Sequence, residues 1–154
     1  MRGGKLEYSD LRDLNILKHY RVVRKWASKN NDISTSDLEI LIYLDCVGLF
    51  NRLDFIDGMY SHSWDSRRWS RLMDGGWLTV FSKRDRVNTK KNIYKVSFKG
   101  KSLINRVYKI MVGEEDIPTS TRRNSIMKGD TYTDKVLIKS IKDVNKDKTI
   151  NNGI

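Results

Sequence analysis

The stretch Trp64-Asp65-Ser66-Arg67-Arg68-Trp69-Ser70-Arg71-Leu72-Met73-Asp74-Gly75-Gly76-Trp77-Leu78 decides how this chain is read. Trp69, Leu72 and Met73 recur at spacings of three and four, which puts them on one side of a helix over 64–74. At about 100° per residue, Arg67 and Arg71 point to the opposite side. Ser63 and Trp64 lie close to them, with Arg68 and Ser70 on the flanks. Gly75-Gly76 ends the helix. Its water-facing side is therefore cationic and carries short hydroxyl side chains.

Downstream, Leu78 and Val80, then Tyr94 and Val96, alternate with polar neighbours as half-buried strands of a hairpin do. The link between them carries Lys83, Arg84, Arg86, Lys90 and Lys91 against Asp85, too charged to enter a core. Ser97 is a helix cap, and Leu103, Val107 and Ile110 form the inner stripe of the helix it starts, running to about Val112.

Upstream, Asn51 caps a short helix with Leu53, Ile56 and Met59 as its inward face. Before it, Ser36 with Glu39 reads as a capping box opening a helix whose body, Leu38 to Val47, is apolar on most sides and ends at Gly48. A first helix is expected over 11–29, with Ile16, Tyr20, Val23 and Ala27 on one stripe. After Pro118 the composition turns to Ser, Thr, Asn, Lys and Asp. The expected organisation is thus one domain over 1–118 and a polar tail over 119–154, with a short helix at 134–144.

Charge is distributed as unevenly as structure. Residues 61–111 carry 13 Lys and Arg against 3 Asp and Glu, whereas residues 1–60 carry 9 against 9 and residues 112–154 carry 8 against 7. Of the chain's net charge of +11, all but one unit lies in this one third, which points to an anionic partner, most commonly nucleic acid phosphate. Cys46 is the single cysteine, which excludes an internal disulfide. Its place between Leu44 and Val47 predicts a buried, inert thiol.

No apolar run is long enough for a membrane span and no secretory signal opens the chain, so a cytoplasmic protein is expected. His19 and His62 are the only histidines and lack companion ligands at metal-site spacing, so no metal is expected. With no phosphate loop, nucleophile elbow or apolar carboxylate pair, neither catalysis nor a cofactor is expected.

Four helices, a basic-tipped hairpin and a closing helix give a mainly α chain with a small β-hairpin, the plan of a winged helix-turn-helix. A helix is narrow enough for the major groove, where Arg67 and Arg71 can read guanine or grip phosphate. Ser63, Ser66, Arg68 and Ser70 flank them, while Trp64 fits either a core cap or a contact to DNA sugar. Arg84 and Arg86 at the hairpin tip can reach the minor groove, with Lys83, Lys90 and Lys91 on flanking phosphates. Double-stranded DNA is the expected partner.

From Asn51 to Val112 the chain also resembles the DNA-binding core of the MarR family of bacterial transcription regulators. The resemblance rests on Leu72…Gly76-Trp77-Leu78, on Asp85-Arg86 in the wing and on Val96-Ser97-Phe98-Lys99-Gly100. It implies a regulator of bacterial or phage origin in which Asp85 orients Arg84 or Arg86, and it brings a homodimer into consideration. The wing is a few residues longer than the family pattern. The alternative is a winged-helix interaction or architectural module. It would bind a protein partner of the transcription machinery, or nucleic acid without sequence preference.

Overall fold

The computed structural model describes residues 6–83 and 91–146. Seven helices and one hairpin follow in the order α1 (Tyr8–Leu14), α2 (Ile16–Asn31), α3 (Thr35–Val47), α4 (Arg52–His62), α5 (Arg67–Asp74), β1 (Leu78–Ser82), β2 (Ile93–Val96), α6 (Phe98–Met111) and α7 (Tyr132–Lys146). A 3-10 turn over Ser125–Lys128 precedes α7. The chain divides elsewhere than at the expected boundary near 118. Ser34–Ile104 form one compact unit, and the described residues of Met1–Ile33 and Asn105–Ile154 form the other.

The unit Ser34–Ile104 holds α3, α4, α5 and the hairpin. β1 and β2 are antiparallel, with Leu78 opposite Val96 and Val80 opposite Tyr94, and the register slips between Val80 and Ser82. Phe50, between α3 and α4, adds a third rung through a bridge to Tyr94. This is a winged helix-turn-helix. Its core comprises Leu38, Ile40, Leu41 and Leu44 of α3 with Phe50, Phe55, Trp69, Leu72, Trp77, Leu78 and Val96.

Several local expectations shift. The second helix starts two residues before the Ser36 box: Ser34 is the cap, accepting from the Asp37 backbone N–H at 3.0 Å. Asn51 does cap α4, in a reciprocal box with Asp54. The inward face of α4, however, is Phe55 and Gly58, and Leu53 is exposed. With apolar residues on several sides of an 11-residue helix, a three-four stripe is not unique. Val80 is more exposed than Leu78 on the same strand. Cys46 is exposed, contrary to the buried thiol expected, because the buried stripe of α3 runs through Ile40, Leu41 and Leu44 and leaves Cys46 on the other side.

In the other unit the single helix expected over 11–29 is two helices. Asn15 adopts a left-handed conformation (φ 53°), ending α1 and capping α2 through its side chain, which accepts from the Lys18 backbone N–H. The segment expected as a tail packs instead. Ile126, Ile141 and Val144 are buried, and α7 lies against α2. The Asn145 side chain clamps Ile117 by accepting from its N–H (2.8 Å) and donating to its carbonyl (3.0 Å). A polar composition hid this because α7 buries only a narrow stripe. Among the described residues no helix is long and apolar enough to cross a membrane.

Candidate nucleic-acid interface

The helix-turn-helix consists of α4, a turn over 63–66, and α5. Ser63 closes α4 in a left-handed conformation (φ 61°), and its N–H donates to the Met59 carbonyl. Asp65 then accepts from the Arg67 backbone N–H at 3.0 Å. The second helix of the motif therefore begins at Arg67, later than the 64 expected, and Trp64, Asp65 and Ser66 join Ser63 in the turn.

Aromatic packing sets the orientation of α5. Trp69 meets Phe55 and Tyr94 edge-on at centroid distances of 5.2 and 4.8 Å, and Arg52 of α4 covers its ring at 4.9 Å. Trp64 turns inward as well, packing against Tyr43, Phe55 and His62. A Cβ on Gly58 would fall on the Trp64 ring, so this close approach of α4 requires glycine. Of the two readings left open for Trp64, this geometry favours the core cap.

Past α5, Gly76 (φ 78°) turns the chain, and the Trp77 N–H donates to the Leu72 carbonyl at 3.0 Å. Ser97 ties the hairpin to this turn. Its hydroxyl donates to the Gly76 carbonyl at 2.7 Å and accepts from the Gly100 N–H at 3.1 Å, capping α6. Lys99 donates to the Gly75 carbonyl at 2.9 Å while lying over the Trp77 ring at 4.1 Å. The wing base and the end of α5 are one braced structure.

The three arginines of α5 divide into different roles. Asp37, on the first turn of α3 and almost wholly buried, accepts from Arg68 Nη1 at 2.8 Å and from Arg71 Nε and Nη2 at 3.2 and 3.4 Å. Burial pushes the Asp37 carboxyl up. Hydrogen bonds and charge from Arg71 and Arg68 outweigh that and hold it below the ordinary carboxylate range. Arg71 is correspondingly held more firmly protonated by Asp37. The Arg67 side chain is 85% exposed, with only Asp65 nearby at 3.7 Å, against 52% for Arg71 and 22% for Arg68.

Ser63, Ser66 and Ser70 are exposed, as are Lys83 at the end of β1 and Lys91 just before β2. Arg84, Arg86 and Lys90, together with Asp85, lie outside the described residues. Sequence reasoning missed Asp37. The signal was present as Ser34-x-x-Asp37, itself a cap with an acid at the third helical position, but the neighbouring Ser36–Glu39 pair masked it. It also missed Arg52, which contributes a cation over Trp69. Among the described residues no group of three or more histidine, cysteine or acidic side chains could hold a metal ion.

No family model matches the chain, and no curated protein matches it. Among solved structures it is similar to a mutant MarR from E. coli. Identity there is 16% and the TM-score 0.46, over 73% of this chain and 80% of that chain. Wild-type MarR from E. coli in its apo form is similar at 12% identity with a TM-score of 0.45, over 91% of this chain and 97% of that one. Likeness at this level carries neither site residues nor activity to this chain.

Proposed function

We propose that this chain is a DNA-binding transcription regulator that reads duplex DNA with the outer face of α5 and grips flanking phosphate from the base of its wing. One observation carries the reading: Asp37 anchors α5 through Arg68 and Arg71, leaving Arg67 standing clear of the surface beside Ser66 and Ser70. A rigidly seated helix with an exposed guanidinium fork is suited to bidentate guanine recognition. Lys83 and Lys91, at the two strand ends of the wing, are placed for backbone contacts that position rather than specify.

Arg67→Ala tests this directly in duplex selection followed by titration on the selected site. The substitution should cost about 1–3 kcal/mol on that site and flatten sequence preference. Unchanged affinity and preference would remove α5 from the reading role. Changing Lys83 and Lys91 to Gln should weaken all sequences alike and make affinity less sensitive to salt.

The second reading is a winged-helix module that binds a protein. The observation in its favour is apolar surface in the same unit, where Leu49 and Phe98 are exposed beside a groove of about 420 Å³. A stoichiometric protein partner that survives Arg67→Ala, without any preferred duplex, would support it.

A further inference from the structure

Counted by segment, the chain outside residues 61–111 is nearly neutral, yet folding sorts its charges. Lys25 and Lys29 stand one turn apart on the C-terminal half of α2, and Lys128 ends the 3-10 turn. These three ammonium groups line one groove of about 440 Å³, with Ile126 and Leu137 as its apolar part. Arg122 and Arg123, on the loop leading into the turn, are exposed a few residues away.

None of these five cations lies within ion-pair distance of a carboxylate among the described residues, whereas Lys18 and Arg106 of the same unit pair with Asp143 and Glu115 at 3.5 and 2.8 Å. The one carboxylate in the groove wall, Asp134, is engaged at the start of α7. It accepts from the Thr131 N–H at 3.3 Å, while its own N–H donates to Thr131 Oγ1 at 3.1 Å. Three lysines against one acid leave two positive charges facing the groove. Asp134 feels the charge of Lys29 and offsets part of it, and the remaining like charges on adjacent turns are unfavourable unless an anion joins them.

The walls are fixed rather than loose. Asn30 of α2 donates to Asn124 Oδ1 at 3.0 Å and accepts from the Ser125 N–H at 2.9 Å. Asn124, fully buried, donates to the Pro118 carbonyl at 2.8 Å and accepts from the Ile126 N–H at 3.1 Å. This amide ladder holds the lysine-bearing turn against the lysine-bearing helix. Thr133 adds a hydroxyl at the rim, while the Ser125 hydroxyl donates to Asn30 Oδ1 at 3.1 Å and so belongs to the same ladder.

We propose that this groove binds a phosphate group attached to an organic body. A net charge of two suits a dianion, lysines are point-charge phosphate binders, and the volume lies in the range of small-molecule sites. The phosphate has two sources with one chemistry, a free nucleotide or the backbone of nucleic acid. The site stands apart from the reading of DNA by α5, since all its residues belong to the other unit.

The test uses the full chain, calorimetric titration, and three probes: inorganic phosphate, adenosine 5′-monophosphate and a random-sequence duplex. In a Lys25→Gln, Lys128→Gln double variant, binding of the first two should weaken about tenfold, as loss of two nearby surface charges requires. The matching Lys→Arg double variant should retain binding. If the source is a free nucleotide, the glutamine variant binds duplex as the wild type does. If it is the nucleic acid backbone, the steepness of the duplex salt dependence falls by about two phosphate contacts. Equal behaviour of wild type and glutamine variant toward all three probes, including no binding by either, overturns the proposal. Arg67→Ala leaves this site intact, so the two hypotheses fail separately.

Discussion

Removing the Asp37 carboxylate should loosen α5 from α3, and the structure sets the size of the effect. The carboxylate is 8% exposed and takes three hydrogen bonds from two guanidinium groups. Stranding a fully buried charge costs about 3–5 kcal/mol, whereas an exposed pair contributes about 0–1. Arg71 is half exposed and regains water freely when its partner is lost. Arg68 is largely covered, and its Nε already lacks a hydrogen-bond partner. Asp37→Ala should therefore destabilise the fold by about 2–3 kcal/mol, mostly through Arg68.

A double-mutant cycle with Arg68→Ala, read by urea unfolding and tryptophan fluorescence, should return a coupling of about 1–2 kcal/mol. Acid should reproduce the effect. The Asp37 carboxyl is held below its ordinary value of 3.8, so its contribution is complete above that value and disappears as pH falls through the lower folded value. Asp37→Asn should lose less stability than wild type over that acid range. A change under about 0.5 kcal/mol for Asp37→Ala, with no coupling to Arg68, would refute the anchoring role and with it the reason Arg67 alone stands clear.

Two further substitutions test how the units are packed. Gly58→Ala would press a methyl into the Trp64 ring, with Tyr43 3.1 Å away on another side. It should cost about 1–3 kcal/mol by overpacking and shift the fluorescence of the half-buried Trp64 indole, whereas an unchanged spectrum and stability would mean Trp64 does not sit over α4. Ile141→Ala should cost about 2–5 kcal/mol in urea unfolding if α7 is part of its unit, because Ile141 is fully buried. A cost near zero would return residues 119–146 to the status of a tail.

Much of the architecture was legible because its signals are local. The hydroxyl and amide caps at Asn51 and Ser97, the stripe Trp69–Leu72, and the Gly75-Gly76 turn each act within a few residues, and periodicity reports them faithfully. The apolar alternation of the wing strands was legible for the same reason. Asn15 escaped notice because a left-handed asparagine leaves the hydrophobic stripe on either side almost unbroken. Leu53 and Cys46 were placed on the wrong side because helices apolar in several directions do not declare which direction is inside.

By itself, then, the sequence determined the order of elements from α3 to α6, and that a cationic helix and a basic hairpin lie next to each other in the chain. Only the tertiary structure decided what each charge does. Periodicity groups Arg67 with Arg71 on the outer face and sets Arg68 on the flank, whereas a carboxylate 31 residues upstream of Arg68 anchors Arg68 with Arg71 and leaves Arg67 exposed. Lys25 and Lys128 belong to segments of nearly balanced charge, and the packing of α7 and its preceding turn on α2 brings them to one groove. The reason is common to both cases. Periodicity is set by neighbours three or four residues apart, whereas the partner of a charge is set by whichever distant residue folding places within a few ångströms.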